Sequence, residues 1–81
     1  MAMVRTGTFL KSEVCNRLQG LHRAALETTE SELAMDRFYV ELNKEAVAAG
    51  LPEPLKDEDG DTINYGVDYA TGEVLGWVKD R

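Results

Sequence analysis

Residues 28–32 read Thr-Thr-Glu-Ser-Glu, and the path of the chain through this stretch decides the fold. Thr29 is followed three positions later by Glu32, a capping box that is typical of a helix start. The stretch therefore divides two helical patterns and predicts a helical hairpin. The alternative is one continuous helix of about forty residues, because a seven-residue repeat runs through Thr28 and Glu32 with no Gly or Pro to mark a turn. We favour the hairpin, since a lone helix of that length would need a partner along its whole length.

The first helical pattern lies ahead of this stretch. Its apolar residues recur at spacings of three and four, which places them on one stripe of a helix. They are Leu10, Val14, Leu18, Leu21 and Ala25. We predict a helix over residues 9–27 with Thr8 as its N-cap, and we expect residues 1–8 to form a short, partly mobile lead-in.

The second helical pattern predicts a helix over residues 30–49 that stops at Gly50 and Pro52. It has two apolar stripes on opposite sides. One consists of Met35, Phe38, Tyr39, Leu42 and Ala46, and the other of Leu33, Val40 and Val47. Such a helix usually packs between two neighbours: here the first helix, and either the C-terminal hairpin or a second subunit. We predict the second stripe as the dimer contact.

After Gly50 the helical spacing of apolar residues ends. Residues 50–61 read as an acidic connector, and residues 62–79 as a β-hairpin with alternating apolar positions. Its turn, over residues 68–73, should place Gly72 in the left-handed region. A bare hairpin is marginal in water, so Trp77 should bury against the helices or against a partner. The predicted fold is a single α+β domain over residues 1–81, with the helices first and the hairpin last.

Composition favours an oligomer. A chain of 81 residues has a marginal core, and the single cysteine permits no intrachain disulfide. A second subunit is the remaining way to stabilise it. The lone thiol and the lack of a long apolar run predict a soluble, cytoplasmic protein without a membrane segment.

The charges are segregated along the sequence. Residues 1–26 hold four cations and one anion, a net of +3, and residues 27–81 hold five cations and fourteen anions, a net of −9. Together they make the net charge of −6. Such a distribution steers association with charged partners.

An acidic surface is predicted in the connector, formed by Glu53, Asp57, Glu58, Asp59 and Asp61. Its order resembles the opening of a calcium-binding EF-hand loop, which also needs a glycine at position six and a glutamate at position twelve. Thr62 and Asp68 hold those positions, and the flanks do not read as helices. We therefore predict a solvated turn and no metal.

Catalysis is not indicated. Cys15 and His22 are seven residues apart on a helix, about 10 Å along its axis, too far for a thiol–imidazole hydrogen bond. The glycines match no phosphate or dinucleotide motif, so no cofactor is predicted. Direct nucleic-acid binding is disfavoured by the net charge of −6 and the pI near 4.6.

The sequence thus predicts a small non-enzymatic protein–protein interaction module, a homodimer that acts as a regulatory inhibitor or adaptor on the surface of another protein. Its predicted contacts are Leu33, Val40, Val47 and Trp77. The alternative is an acidic mimic of nucleic acid, whose carboxylates occupy the groove of a DNA- or RNA-binding protein.

Overall fold

The computed structural model describes residues 2–78, and the chain begins with a strand. The elements are β1 Ala2–Phe9, α1 Ser12–Glu27, α2 Ser31–Ala48, β2 Leu55–Lys56, β3 Thr62–Ile63, β4 Gly66–Asp68 and β5 Glu73–Val78. The architecture is mixed α+β, but the predicted order, with both helices ahead of every strand, is wrong. The predicted end of the hairpin, at residue 79, lies outside the described residues.

Strand β1 lies at one edge of a three-stranded sheet of order β1-β5-β4. It pairs antiparallel with β5, so that Met3 is opposite Trp77 and Arg5 is opposite Leu75. The predictions of a lead-in over residues 1–8 and of a helix from residue 9 are therefore wrong. Most side chains of β1 remain exposed, so the strand lacks the buried alternation by which a strand is recognised locally. Its stability comes from pairing with a distant segment.

The stretch between α1 and α2 breaks the helix, so the hairpin is confirmed and the continuous helix is wrong. Thr28 is extended (φ −95°, ψ 151°), and its Oγ1 accepts a hydrogen bond from the Glu30 N–H at 3.3 Å. The predicted capping box is absent, because the N-cap of α2 is Glu30 and makes no side-chain cap. Helix α1 likewise starts from Lys11 rather than from Thr8.

The end of α2 follows the predicted stop signals. Gly50 adopts a φ of 106°, and its N–H donates to the Val47 carbonyl at 3.0 Å. The Leu51 N–H donates to the Ala46 carbonyl at 3.1 Å. These bonds satisfy carbonyls of the last turn, as a left-handed glycine after a helix commonly does. Within residues 2–78, neither helix is both long and apolar enough to cross a lipid bilayer.

The core lies between the helices and one face of the sheet, which we call the inner sheet face. Its buried members are Leu18, Phe38, Leu42, Ala46, Tyr65 and Val74. Val74 in β5 is fully buried, and its pairing partner Val67 in β4 packs against the same cluster. The inner sheet face is therefore buried around Val74, whereas Val4 and Val78, farther along the same face, are 40% and 46% exposed.

The predicted connector over residues 50–61 contains a strand of its own. Strand β2 pairs with β3 in a separate two-stranded ribbon, Leu55 opposite Ile63, so only β4 and β5 form the C-terminal hairpin. The predicted turn over residues 68–73 is confirmed. Gly72 has a φ of 81°, and its N–H donates to the Asp68 carbonyl.

The replacement Gly72→Ala should destabilise the fold by about 1–2 kcal/mol. A Cβ at Gly72 would lie 3.0 Å from the Leu10 carbonyl oxygen, in a left-handed conformation that alanine avoids. The matched control is Gly20→Ala in α1, where nothing lies within 4 Å and alanine should stabilise the helix by about 0.5–1 kcal/mol. Urea unfolding of both variants measures the difference, and equal effects would contradict the assigned turn.

Candidate functional site

The second face of the three-stranded sheet, the outer sheet face, points away from the helices. Side chains two positions apart share a face of a strand, and paired residues of neighbouring strands also share one. The outer sheet face therefore carries Met3, Arg5, Leu75 and Trp77. Gly66 of β4 also lies on this face, and its lack of a side chain lets Met3 and Leu75 pack close to the backbone. A Cβ at this position would lie 3.3 Å from Met3 Cε and 3.6 Å from Leu75 Cβ.

Trp77 is half-buried and is absent from the cluster that packs around Leu18 and Leu42. It lies opposite Met3, whose side chain is 43% exposed. Leu75, one pleat along β5, is also half-buried. We expected Trp77 to bury either against the helices or against a partner. The first expectation is wrong, because Trp77 does not pack in the helical core. The indole lies outside the core cluster, in an apolar strip with Met3 and Leu75.

A cluster of charged groups lies at one end of this strip. The Glu73 carboxylate is buried and accepts hydrogen bonds from the Arg5 guanidinium at 2.7 Å and from the Gly7 N–H at 3.0 Å. Arg5 also reaches Asp68 at 3.4 Å. Hydrogen bonding to Glu73 and the attraction of its charge raise the pKa of Arg5. Glu73 thus fixes β1 to β5 at the irregular part of their pairing, between Arg5 and Phe9.

The predicted dimer contacts lie elsewhere. Leu33 and Val40 of α2 are 58% and 62% exposed, and Val47 is half-buried. We call Leu33, Val40 and Val47 the outer helix stripe. It lies on the side of α2 opposite Phe38 and Leu42, which pack into the core. The outer helix stripe lies on α2 and Trp77 on β5, so we treat them as two surfaces.

The acidic connector forms a tight exposed loop. Asp57 Oδ1 accepts hydrogen bonds from the N–H groups of Asp59 and Asp61, each at 2.9 Å. The three carboxylates lie within 4.8 Å of one another, and all are exposed. Asp68, the residue that an EF-hand would need as a ligand, instead contacts Arg5. Glu53 and Glu58 are also exposed in this region. The loop is held by hydrogen bonds of its own backbone and of the Asp57 side chain.

Cys15 and His22 make unrelated contacts. The Cys15 thiol is buried, with Sγ 3.9 Å from the Leu10 carbonyl oxygen, whereas the His22 ring packs against Phe38 with centroids 5.0 Å apart. Burial raises the pKa of the Cys15 thiol. Burial also raises the pKa of Tyr69, whose hydroxyl has no hydrogen-bond partner within the described part of the chain.

The Cys15 thiol should react slowly with a thiol reagent in the folded protein. The thiolate is the nucleophile, so a raised pKa leaves less of it at pH 8, and we expect a rate at least about tenfold below that of an exposed thiol. Moving the thiol to the exposed start of α1, in the variant Cys15→Ser/Ser12→Cys, supplies the control. A folded-state rate that equals the control, or levels off below pH 9, would contradict the burial.

No protein-family model matches the chain, and neither the curated proteins nor the solved structures contain a match. The interpretation of function therefore depends on the two apolar surfaces outside the core, the outer sheet face and the outer helix stripe. The sequence predicted contacts at the outer helix stripe and at Trp77, and that prediction did not include Met3 or Arg5. The signal for them was the alternation of β-branched Val4, Thr6 and Thr8, which is typical of a strand.

Proposed function

We propose that the chain is a small non-enzymatic protein–protein interaction module, a regulatory inhibitor or adaptor that binds a partner protein through the outer sheet face. One observation carries the proposal: Met3, Leu75 and Trp77 form an apolar strip outside the core cluster, in which Met3 is 43% exposed and Leu75 and Trp77 are half-buried. Uncovered apolar strips beside polar residues are typical of binding surfaces. Tryptophan is also among the residues that contribute most to such interfaces.

The free edge of β1 supports the same surface. Strand β1 is an edge strand, and within residues 2–78 no strand pairs with its second side. Its regular part, from Ala2 to Arg5, lies directly beside Met3 and Trp77. An extended segment of a partner could add to this edge by backbone hydrogen bonds, and its alternate side chains would then cover the apolar strip.

The partner we propose is a protein with an extended apolar segment flanked by basic residues. The net charge of −6 would steer a basic surface toward the module and speed association. Cys15 and His22, which pack in unrelated contacts, are not required for this role. The free thiol suits a reducing compartment, so we place the module in the cytoplasm.

The test compares capture by matched variants. Immobilised wild-type protein, Trp77→Ser and Leu26→Asp are incubated with the same lysate, and the captured proteins are quantified by mass spectrometry. Leu26 is an apolar residue of α1 that is 65% exposed. The proposal predicts a protein that wild type and Leu26→Asp retain and Trp77→Ser loses. Identical capture by all three would refute it, provided that circular dichroism shows Trp77→Ser to be folded.

The acidic mimic of nucleic acid remains the second candidate, supported by the crowding of the Asp57, Asp59 and Asp61 carboxylates. The two functions differ in salt dependence. A mimic should release its partner by about 0.5 M salt, where the Debye length is about 4 Å, and should lose it in the variant Asp59→Asn/Asp61→Asn. Capture that survives this salt but depends on Trp77 favours the apolar surface.

A further inference from the structure

The outer helix stripe is independent of the surface proposed above, and it is apolar with cations beside it. Leu33 and Val40 are more than half exposed. Arg37 and Lys44 are exposed on the same side of α2, since they follow Leu33 and Val40 by four positions. The described part of the chain shows no ion pair for either cation.

The stripe is self-complementary about Val40. Counting seven positions either way from Val40 leads to Leu33 and Val47, both apolar. Counting four positions either way leads to Asp36 and Lys44, which are oppositely charged and exposed. Two antiparallel copies of α2 crossing at Val40 would therefore set Leu33 level with Val47, and Asp36 level with Lys44, across a two-fold axis.

We infer that α2 of a second copy of this chain covers the outer helix stripe, antiparallel, with Val40 on the two-fold axis. Symmetry then provides each Lys44–Asp36 pair twice. A lysine side chain is long enough to reach an aspartate at the same level of a neighbouring helix, whose axis lies about 8–10 Å away.

Local charge favours this face for self-association. The chain carries −6 overall, so two copies repel each other over most of their surfaces. At the stripe, the cations Arg37 and Lys44 lie beside Asp36, and the exposed Glu30 and Glu32 lie near Leu33. The neighbouring Glu41 and Glu45 are paired with Arg17 of α1. Two copies that meet here therefore bring charges of both signs together, which offsets part of the repulsion set by the net charge.

The dimer contact shares no residue with the outer sheet face, because the stripe lies on α2 whereas Met3, Leu75 and Trp77 lie on β1 and β5. Each dimer would then present two outer sheet faces. Two linked sites bind a partner with repeated segments more tightly than one site does. Self-association does not rest on the proposed function, and the two are tested by different residues.

The first test is the mass in solution at micromolar concentration. Wild type should form a dimer of about 18 kDa, twice the chain mass of 9.0 kDa. Val40→Asp sets two like charges against each other on the axis and should weaken the dimer at least about 100-fold. Leu26→Asp, at an equally exposed leucine, should leave it unchanged. A folded wild-type monomer, or a Val40→Asp dimer of unchanged affinity, overturns the inference.

A charge exchange tests the antiparallel register. Asp36→Lys and Lys44→Asp alone each set like charges level with one another and should weaken the dimer about tenfold. The double variant restores opposite charges and should recover the wild-type dissociation constant to within about threefold. Because these positions are exposed, the variants should keep the melting temperature of the monomer. Additive weakening in the double variant overturns the register.

Discussion

Leu42→Ala should be strongly destabilising, lowering the free energy of unfolding by about 2–5 kcal/mol. Leu42 is 1% exposed and packs among Leu18, Phe38 and Val74, where the two helices meet the inner sheet face. Truncation leaves a cavity that the helices and sheet can close only in part. A chain of this size has a stability of about 4–12 kcal/mol, so the variant should be partly unfolded at 37 °C.

The matched control is Leu33→Ala on the same helix. Leu33 is 58% exposed, so its truncation removes little buried surface from the monomer and should change stability by less than about 0.5 kcal/mol. Urea unfolding at low protein concentration keeps self-association out of the measurement. Equal losses for the two variants would show that α2 presents a different face to the sheet.

Glu73→Ala should lower the free energy of unfolding by about 2–3 kcal/mol, because hydrogen bonds to a buried charged group are among the strongest in proteins. The variant leaves the Gly7 N–H without its acceptor and removes the ion pair with Arg5. Strand β1 should then loosen from β5 around Gly7, while the helices stay packed.

Glu73→Gln separates the two contributions, since the amide oxygen still accepts from Gly7 and the charge is lost. It should be intermediate in stability. Glu58→Ala, at an exposed carboxylate of the acidic loop, should change stability by less than about 0.5 kcal/mol. Amide hydrogen exchange locates the effect: faster exchange in β1 and β5 is expected, and faster exchange confined to α1 and α2 would contradict the role of Glu73.

The helices and the turn at Gly72 were predictable because their signals are local. Apolar residues at spacings of three and four identified both helices, and Gly50 identified the end of α2. The capping box was wrong because Thr28, extended at the end of α1, makes the side-chain hydrogen bond in place of Thr29. The sequence thus predicted the break between α1 and α2, but it assigned the side-chain hydrogen bond at this break to the wrong threonine.

The N-terminal strand was missed because its partner is far along the chain. Arg5 and Glu73 are 68 positions apart, and no local pattern records such a pairing. The strand is also largely exposed on both faces, so its apolar residues do not mark a buried side. Met3 and Arg5 of the outer sheet face were missed with this strand. Trp77 and the outer helix stripe could be proposed as contacts because the strand and helix periodicities that contain them are local.

Binding through the outer sheet face is tested most directly by photo-crosslinking from position 3. A benzophenone amino acid replaces Met3 on the outer sheet face or, as the control, Gln19 on the exposed side of α1. After irradiation in lysate, position 3 should yield a discrete adduct with another protein that is absent from position 19 and is lost when Trp77→Ser is added. The same adducts from both positions, or a position-3 adduct that survives Trp77→Ser, would contradict it.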